Sequence, residues 1–239
     1  MRTAIAGTAL LLVVGCSRAP KTVDLQPKAF GTALVEVSGS KQAAAIGTAL
    51  DQPVVVQVND AQGAAVAGAL VTVRVPGGGT VDPVSGLTGS DGQFTTTVAV
   101  GGGSAHYQLV ATTRDKTGKA IELRLDEIAL GYQETQGRQL NVIYCARCHD
   151  PESTPERVSN HDNLTAKAHA FTEGAVLNAM SDADLASIVS HGGPALNRSP
   201  EMPPYGYTLS KPDIAALMAY IRAVADPPFR SKGAVYARN

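Results

Sequence analysis

The sequence predicts two domains, an all-β sandwich followed by an all-α unit, and three observations carry that prediction. Apolar and polar residues alternate in a succession of short runs across residues 33–131. Near Gln133 the apolar spacing lengthens to three and four residues. Glycines crowd the first half, in turns such as Pro76-Gly77-Gly78-Gly79 and Gly101-Gly102-Gly103. Lys and Arg total 20 against 21 Asp and Glu in 239 residues, so no nucleic-acid partner is expected.

At the N-terminus, Met1-Arg2-Thr3 supplies a positive start, and the apolar run AIAGTALLLVVG ends at Cys16. That is the shape of an export signal. It falls short of the roughly 20 apolar residues that span a bilayer comfortably as a helix. Val13-Val14-Gly15-Cys16 resembles the bacterial lipoprotein box. The resemblance implies a signal peptide at 1–15 and lipidation of Cys16, with Ser17 favouring the outer membrane. Residues 16–32 then form the lipidated cysteine and a tether with two prolines and no periodicity, reaching on the order of 50 Å when extended.

Residues 33–131 carry the strands. Val54–Val58, Leu70–Val75, Phe94–Val100, Tyr107–Ala111 and Ile121–Leu125 each alternate, and Val71, Val73 and Val75 share one face opposite Thr72 and Arg74. Asp60-Ala61-Gln62-Gly63 and Ser90-Asp91-Gly92-Gln93 provide turns. Such regular short strands argue for a sandwich of about a hundred residues. The strings VQVNDAQGAAVAGALVTVRV, TGSDGQFTTTV and AHYQLVATT resemble the bacterial Ig-like domain of the invasin/intimin type. That resemblance implies a spacer or docking module without catalysis. His106 is expected at a surface edge beside a strand start.

Residues 132–226 form the helical unit, and 227–239 a tail. Leu140, Ile143 and Tyr144 recur at helical spacing and lead into Cys145-Ala146-Arg147-Cys148-His149. A second stripe is Leu185, Ile188 and Val189. Ser210 reads as an N-cap with Lys211 and Pro212 opening a helix, whose stripe is Ile214, Leu217, Met218, Ile221 and Val224. Pro227-Pro228 stops it.

Cys145-x-x-Cys148-His149 admits three readings. A structural zinc site needs four ligands, and no second cysteine pair exists to supply them. A thioredoxin-like dithiol expects a βαβ setting, whereas this segment is helical. Haem attachment needs two thiols one turn apart for the two vinyl groups, then an imidazole directly after them for the iron, and the spacing supplies each. Export suits that chemistry, and the count closes with Cys16 for lipid and two cysteines for thioethers.

Downstream, HGGPALNRSPEMPPYGYTLSKPDIAALMAYIRAV, residues 191–224, resembles the C-terminal half of a class I cytochrome c, and the whole resemblance covers about residues 134–225. It implies one covalent haem c on Cys145 and Cys148, His149 as proximal iron ligand and Met202 as distal ligand, 53 positions on. It also implies that Gly137 and Tyr220 mark the crossing of the first and last helices. His161, His169, His191 and Met180 are expected to be surface or packing residues.

With His149 and Met202 both on iron, no coordination position stays open, which points to outer-sphere electron transfer rather than catalysis. The expected protein is a membrane-tethered monohaem c-type cytochrome moving single electrons in the periplasm between redox partner proteins. Its anchor would lie in the outer membrane, facing the periplasm, and the β-domain would set its reach or dock it. The alternatives are a dedicated haem subunit of a larger membrane oxidoreductase complex, a haem-based gas sensor, and an adhesion or structural lipoprotein. Residues 132–239 carry 10 basic and 11 acidic side chains, so charge alone marks no docking face.

Overall fold

The computed structural model describes residues 25–230 except 76, 104 and 151–157. The expected leader, Cys16, the first part of the tether and residues 231–239 lie outside the described residues. Among the described residues no helix is long and apolar enough to cross a membrane.

Among the described residues nine strands build the first domain: β1 (Ala33–Ser38), β2 (Ala43–Ala45), β3 (Val54–Asn59), β4 (Leu70–Arg74), β5 (Thr80–Asp82), β6 (Ser85–Leu87), β7 (Gln93–Ala99), β8 (Ala105–Arg114) and β9 (Ala120–Leu130). They pair into two sheets, β1-β3-β7-β5 and β2-β9-β8-β4-β6. Every pairing is antiparallel except β2 with β9, where Ala43–Ala45 run parallel to Ile128–Leu130. The chain crosses from one sheet to the other at every step from β1 to β8, and only β8 and β9 follow each other within one sheet.

Period-2 alternation fills the space between the sheets. Val54, Val56 and Val58 face Val71, Val73, Leu109 and Leu125, all essentially buried. Each such side chain contributes about 1.5–3 kcal/mol of transfer free energy. Thr72 and Arg74 point outward, as the alternation requires. Two inward-turned threonines find backbone partners: Thr96 Oγ1 donates to the Pro83 carbonyl at 2.8 Å, and Thr113 Oγ1 to that of Leu70 at 2.8 Å. His106 departs from expectation. It lies within β8 opposite Ile128, half-buried, because β8 begins two residues earlier than the alternation alone suggests.

The final strand passes through Gly131 directly into helix α1 (Tyr132–Leu140), a π-helical turn (Asn141–Cys145) and helix α2 (Ala146–His149). Helices α3 (Gly174–Leu177), α4 (Asp182–His191) and α5 (Lys211–Val224) follow. Helix α5 begins with a full capping box, in which Ser210 and Asp213 satisfy each other's backbone N–H. Its buried residues are Ile214, Ala216, Leu217, Ile221 and Val224, with Met218 half-buried beside them. The unit is helical but not all-α in the strict sense. Long irregular segments separate its helices, and Glu173 and Asp226 form a parallel β-bridge.

Helices α1 and α5 cross at Gly137. A Cβ there would stand 2.1 Å from the Ala216 carbonyl oxygen and 2.6 Å from Cβ of Tyr220. Only glycine permits that approach, and the expected pairing of Gly137 with Tyr220 is what the crossing shows.

The two domains touch along β2 and β9. Ile128, Leu130 and Val224 form a buried cluster with Ala43, Phe171, Tyr220 and Ala223 against it. Arg138 pairs with Asp51 and Lys41 with Asp226 at the margin.

Candidate functional site

The helical unit encloses a cavity of about 620 Å³, whose lining includes Tyr144, Cys145, Cys148, His149, Met202 and Tyr205. Its floor is apolar, formed by Leu177, Leu185, Val189, Leu217 and Ile221. A volume of this size and lining suits a flat apolar ligand with a few polar ends.

The cysteines arrive there through the π-helical turn. The Ala146 N–H reaches back five residues to the Asn141 carbonyl instead of four. Such single-turn bulges recur at functional sites, where they re-aim side chains. Cys145 is buried and Cys148 half-buried, and the two thiols are not bridged. Burial, with Cys148 nearby, pushes the Cys145 thiol up to about 12, so it stays protonated at neutral pH. Among the described residues no three His, Cys, Asp or Glu side chains cluster to hold an ion on their own.

His149 is held by its Nδ1, which donates to the His169 carbonyl at 2.7 Å, and its ring lies 4.8 Å from that of Phe171. Burial depresses its basicity, more than the hydrogen bond restores it. The ring is therefore neutral, with the proton on Nδ1 and Nε2 available as a ligand.

The Met202 loop is pinned to the end of α4. Gly193 N–H donates to the Met202 carbonyl at 3.0 Å, Tyr205 N–H to Val189 at 2.9 Å and Gly206 N–H to Ser190 at 2.9 Å. Gly192, at φ 82°, turns the chain there, and a Cβ on it would meet the Met202 oxygen at 2.7 Å. Tyr205 Oη donates to the Tyr144 carbonyl at 2.9 Å, tying the loop to the turn that carries the cysteines. Glu201 does the same toward another wall: its carboxylate accepts from Thr165 N–H at 3.0 Å and Ala166 N–H at 3.3 Å. Those amides hold it below the ordinary carboxylate range.

The rejected ligands divide. His161 is bonded to Ala168 at 3.2 Å and His191 to Ser187 at 3.2 Å, and neither lines the cavity. His169 does line it, with Nδ1 on Glu173 at 2.8 Å. Met180 lines it as well, so two thioethers face the same space. Arg222 fixes the Met180 segment from behind, bonding the carbonyls of Leu177 and Met180 at 2.7 Å each. Phe171, Tyr205, Lys167 and Arg198 also line the cavity, and no spacing rule would have singled them out.

The sequence of residues 133–221 matches the family model described as "Cytochrome C oxidase, cbb3-type, subunit III". This segment is a cytochrome c domain. The residues present fit haem: paired thiols, a neutral imidazole with one free nitrogen, an apolar slot and two cations, Lys167 and Arg198, on its wall.

No match was found among curated proteins. Solved structures similar to the chain lie over the part that precedes the cytochrome c domain. The D00-D0 domain of intimin is 20% identical at a TM-score of 0.32, covering 46% of this chain and 51% of that one. The D0-D1 domain of intimin is 17% identical at 0.31, covering 45% and 51%. Invasin, titled a bacterial integrin-binding protein, is 21% identical at 0.30, covering 41% and 19%. The chain thus spans about half the length of the intimin structures it matches.

Proposed function

We propose that the protein is a monohaem c-type cytochrome that carries single electrons outside the cytoplasm, tethered to the outer membrane by a lipid on Cys16. The observation that supports this most is the meeting of Cys145, Cys148, His149 and Met202 around one apolar cavity. In this reading Cys145 and Cys148 would bond the haem, and His149 Nε2 and Met202 would hold its iron. The bound haem would supply a one-electron iron couple.

The chain's own residues do the rest. The His169 carbonyl orients His149 and fixes its tautomer, and the loop bonds of Tyr205 and Gly193 present the thioether. Leu177, Leu185, Val189 and Leu217 exclude water, which keeps reorganisation on electron transfer small. Arg198, on the cavity wall, would supply a cation for the propionate carboxylates, since the Lys167 ammonium donates to the Asp162 carbonyl at 2.7 Å. With His149 and Met202 both engaged by iron, the site would serve electron transfer rather than substrate binding.

The test is the spectrum of the purified full chain. Covalent haem in the parent, its absence in the Cys145→Ser/Cys148→Ser variant, and a Met–iron charge-transfer band lost in Met202→Ala but kept in Met180→Ala are the expected results. A ferrous form of the parent that binds CO readily would refute the closed site and favour a gas sensor. The description of the matching family supports a second reading, a dedicated haem subunit of a membrane oxidase. Co-purification of a stoichiometric complex from native membranes separates that from a free carrier.

A further inference from the structure

We infer that the β-sandwich is a fixed back wall of the proximal side of the haem pocket and positions His149 through Phe171. Building on the haem reading above, the inference makes the β-domain part of the site and not a free-swinging spacer.

Phe171 belongs to two clusters at once. One is the cavity cluster of Cys145, Leu177 and Leu217, and the other is the interdomain cluster of Ile128, Leu130 and Val224. Its ring is 4.8 Å from that of His149. Two residues before it, the His169 carbonyl takes the His149 Nδ1 proton at 2.7 Å. The segment 169–171 therefore touches the proposed ligand by both a ring contact and a hydrogen bond.

That segment is in turn held by the stretch that follows α5, which the β-domain reaches through Lys41. Asp226 N–H donates to the Thr172 carbonyl at 2.9 Å, and Gly174 N–H to the Asp226 carbonyl at 3.1 Å. Gly174 lies so close that a Cβ on it would stand 2.3 Å from the Pro227 oxygen. Lys41, just before β2, reaches Asp226 at 3.4 Å. Leu130 and Ile128, 1% and 7% exposed, close the back of Phe171. Aromatic packing of this kind holds a ring far more tightly when its other face is closed than when water reaches it. Phe171 is thus a positioning residue whose support comes from a different domain.

The experiment uses the full holoprotein and four variants: Ile128→Ala, Leu130→Ala, Phe171→Leu, and Leu109→Ala. The last removes a fully buried side chain of the sandwich core away from the interdomain cluster, so it lowers stability without touching the wall. Two quantities are read: the ferrous/ferric ratio at a fixed applied potential, and hydrogen exchange at the Gly174 and Asp226 amides. Ile128→Ala, Leu130→Ala and Phe171→Leu should each move the ratio at least threefold toward ferric, because water gains access to the proximal side. The two β9 variants should also accelerate both amides, while Leu109→Ala leaves ratio and amides at parent values. If Leu130→Ala and Ile128→Ala move the ratio no further than Leu109→Ala, the wall is refuted. A ratio unchanged in Phe171→Leu, which keeps the segment's backbone, refutes it separately. A parent chain that carries no covalent haem sinks the haem reading instead, and the amide exchange still decides whether β9 supports the 172–174 segment.

Discussion

Gly137→Ala measures how much the domain depends on one close approach. The added methyl carbon would sit 2.1 Å from the Ala216 oxygen and 2.6 Å from Tyr220 Cβ. Ordinary carbon–oxygen contact begins more than about 1 Å farther out, so α1 must withdraw from α5 by roughly that amount. Neither neighbour can yield cheaply, since one is helix backbone and the other the root of a large side chain. Overpacking of this size costs about 1–3 kcal/mol, and opening the Leu217 and Ile221 layer adds to it. Alanine's better helix propensity returns at most about 1 kcal/mol. We expect a net loss of about 2 kcal/mol in urea unfolding followed by far-UV circular dichroism, with covalent haem yield reduced in parallel. A variant within about 0.5 kcal/mol of the parent would refute the account of the crossing.

Glu127→Gln tests a buried acid in the sandwich. Glu127 is fully buried with one hydrogen bond, from Gln42 N–H at 2.9 Å, and burial raises it to about 8. Because the folded value lies above the unfolded one, its stabilisation is complete below about pH 4.5 and is lost as pH rises through 8. Relative to Glu127→Gln, the parent should lose several kcal/mol across that window in denaturant titrations, and parallel curves would overturn the assignment. Tyr205→Phe deletes the bond to the Tyr144 carbonyl and should cost about 1 kcal/mol while weakening the Met–iron band at raised pH. Glu201→Ala should accelerate exchange of the Thr165 and Ala166 amides with the fold intact, and unchanged protection there would show that the carboxylate does not hold that segment.

Local signals carried most of the fold into the sequence. The alternation of Val71 and Val73 marks an inward face because a strand's period is two, and the Ser210–Asp213 cap and the Ile214–Val224 stripe delimit α5 in the same local way. That Cys145, Cys148 and His149 meet at one cavity was legible because they lie within a single turn or two of the chain. Met202 was legible only through resemblance, because nothing in its own neighbourhood distinguishes it from Met180, which reaches the same cavity. Phe171 and the His169 carbonyl left no trace in the sequence, since their roles arise from tertiary contact with β9 and α2. The π-helical turn was equally hidden: the spacing of Leu140, Ile143 and Tyr144 is compatible with an uninterrupted α-helix.

That turn gives the segment from Tyr132 to His149 two independent orientations. Each residue of an α-helix advances the side chain by roughly 100°. The extra residue held between Asn141 and Ala146 therefore works as a phase shifter, letting Gly137 face α5 while the thiols face the cavity. Deleting one residue from 141–144 would let the turn close as regular α-helix with both facings kept, whereas adding one to α1 would leave the motif spelled unchanged and rotate it by roughly 100°. The spelling of the Cys-x-x-Cys-His motif and its bearing are separate properties of this chain, and the π-helical turn sets the second.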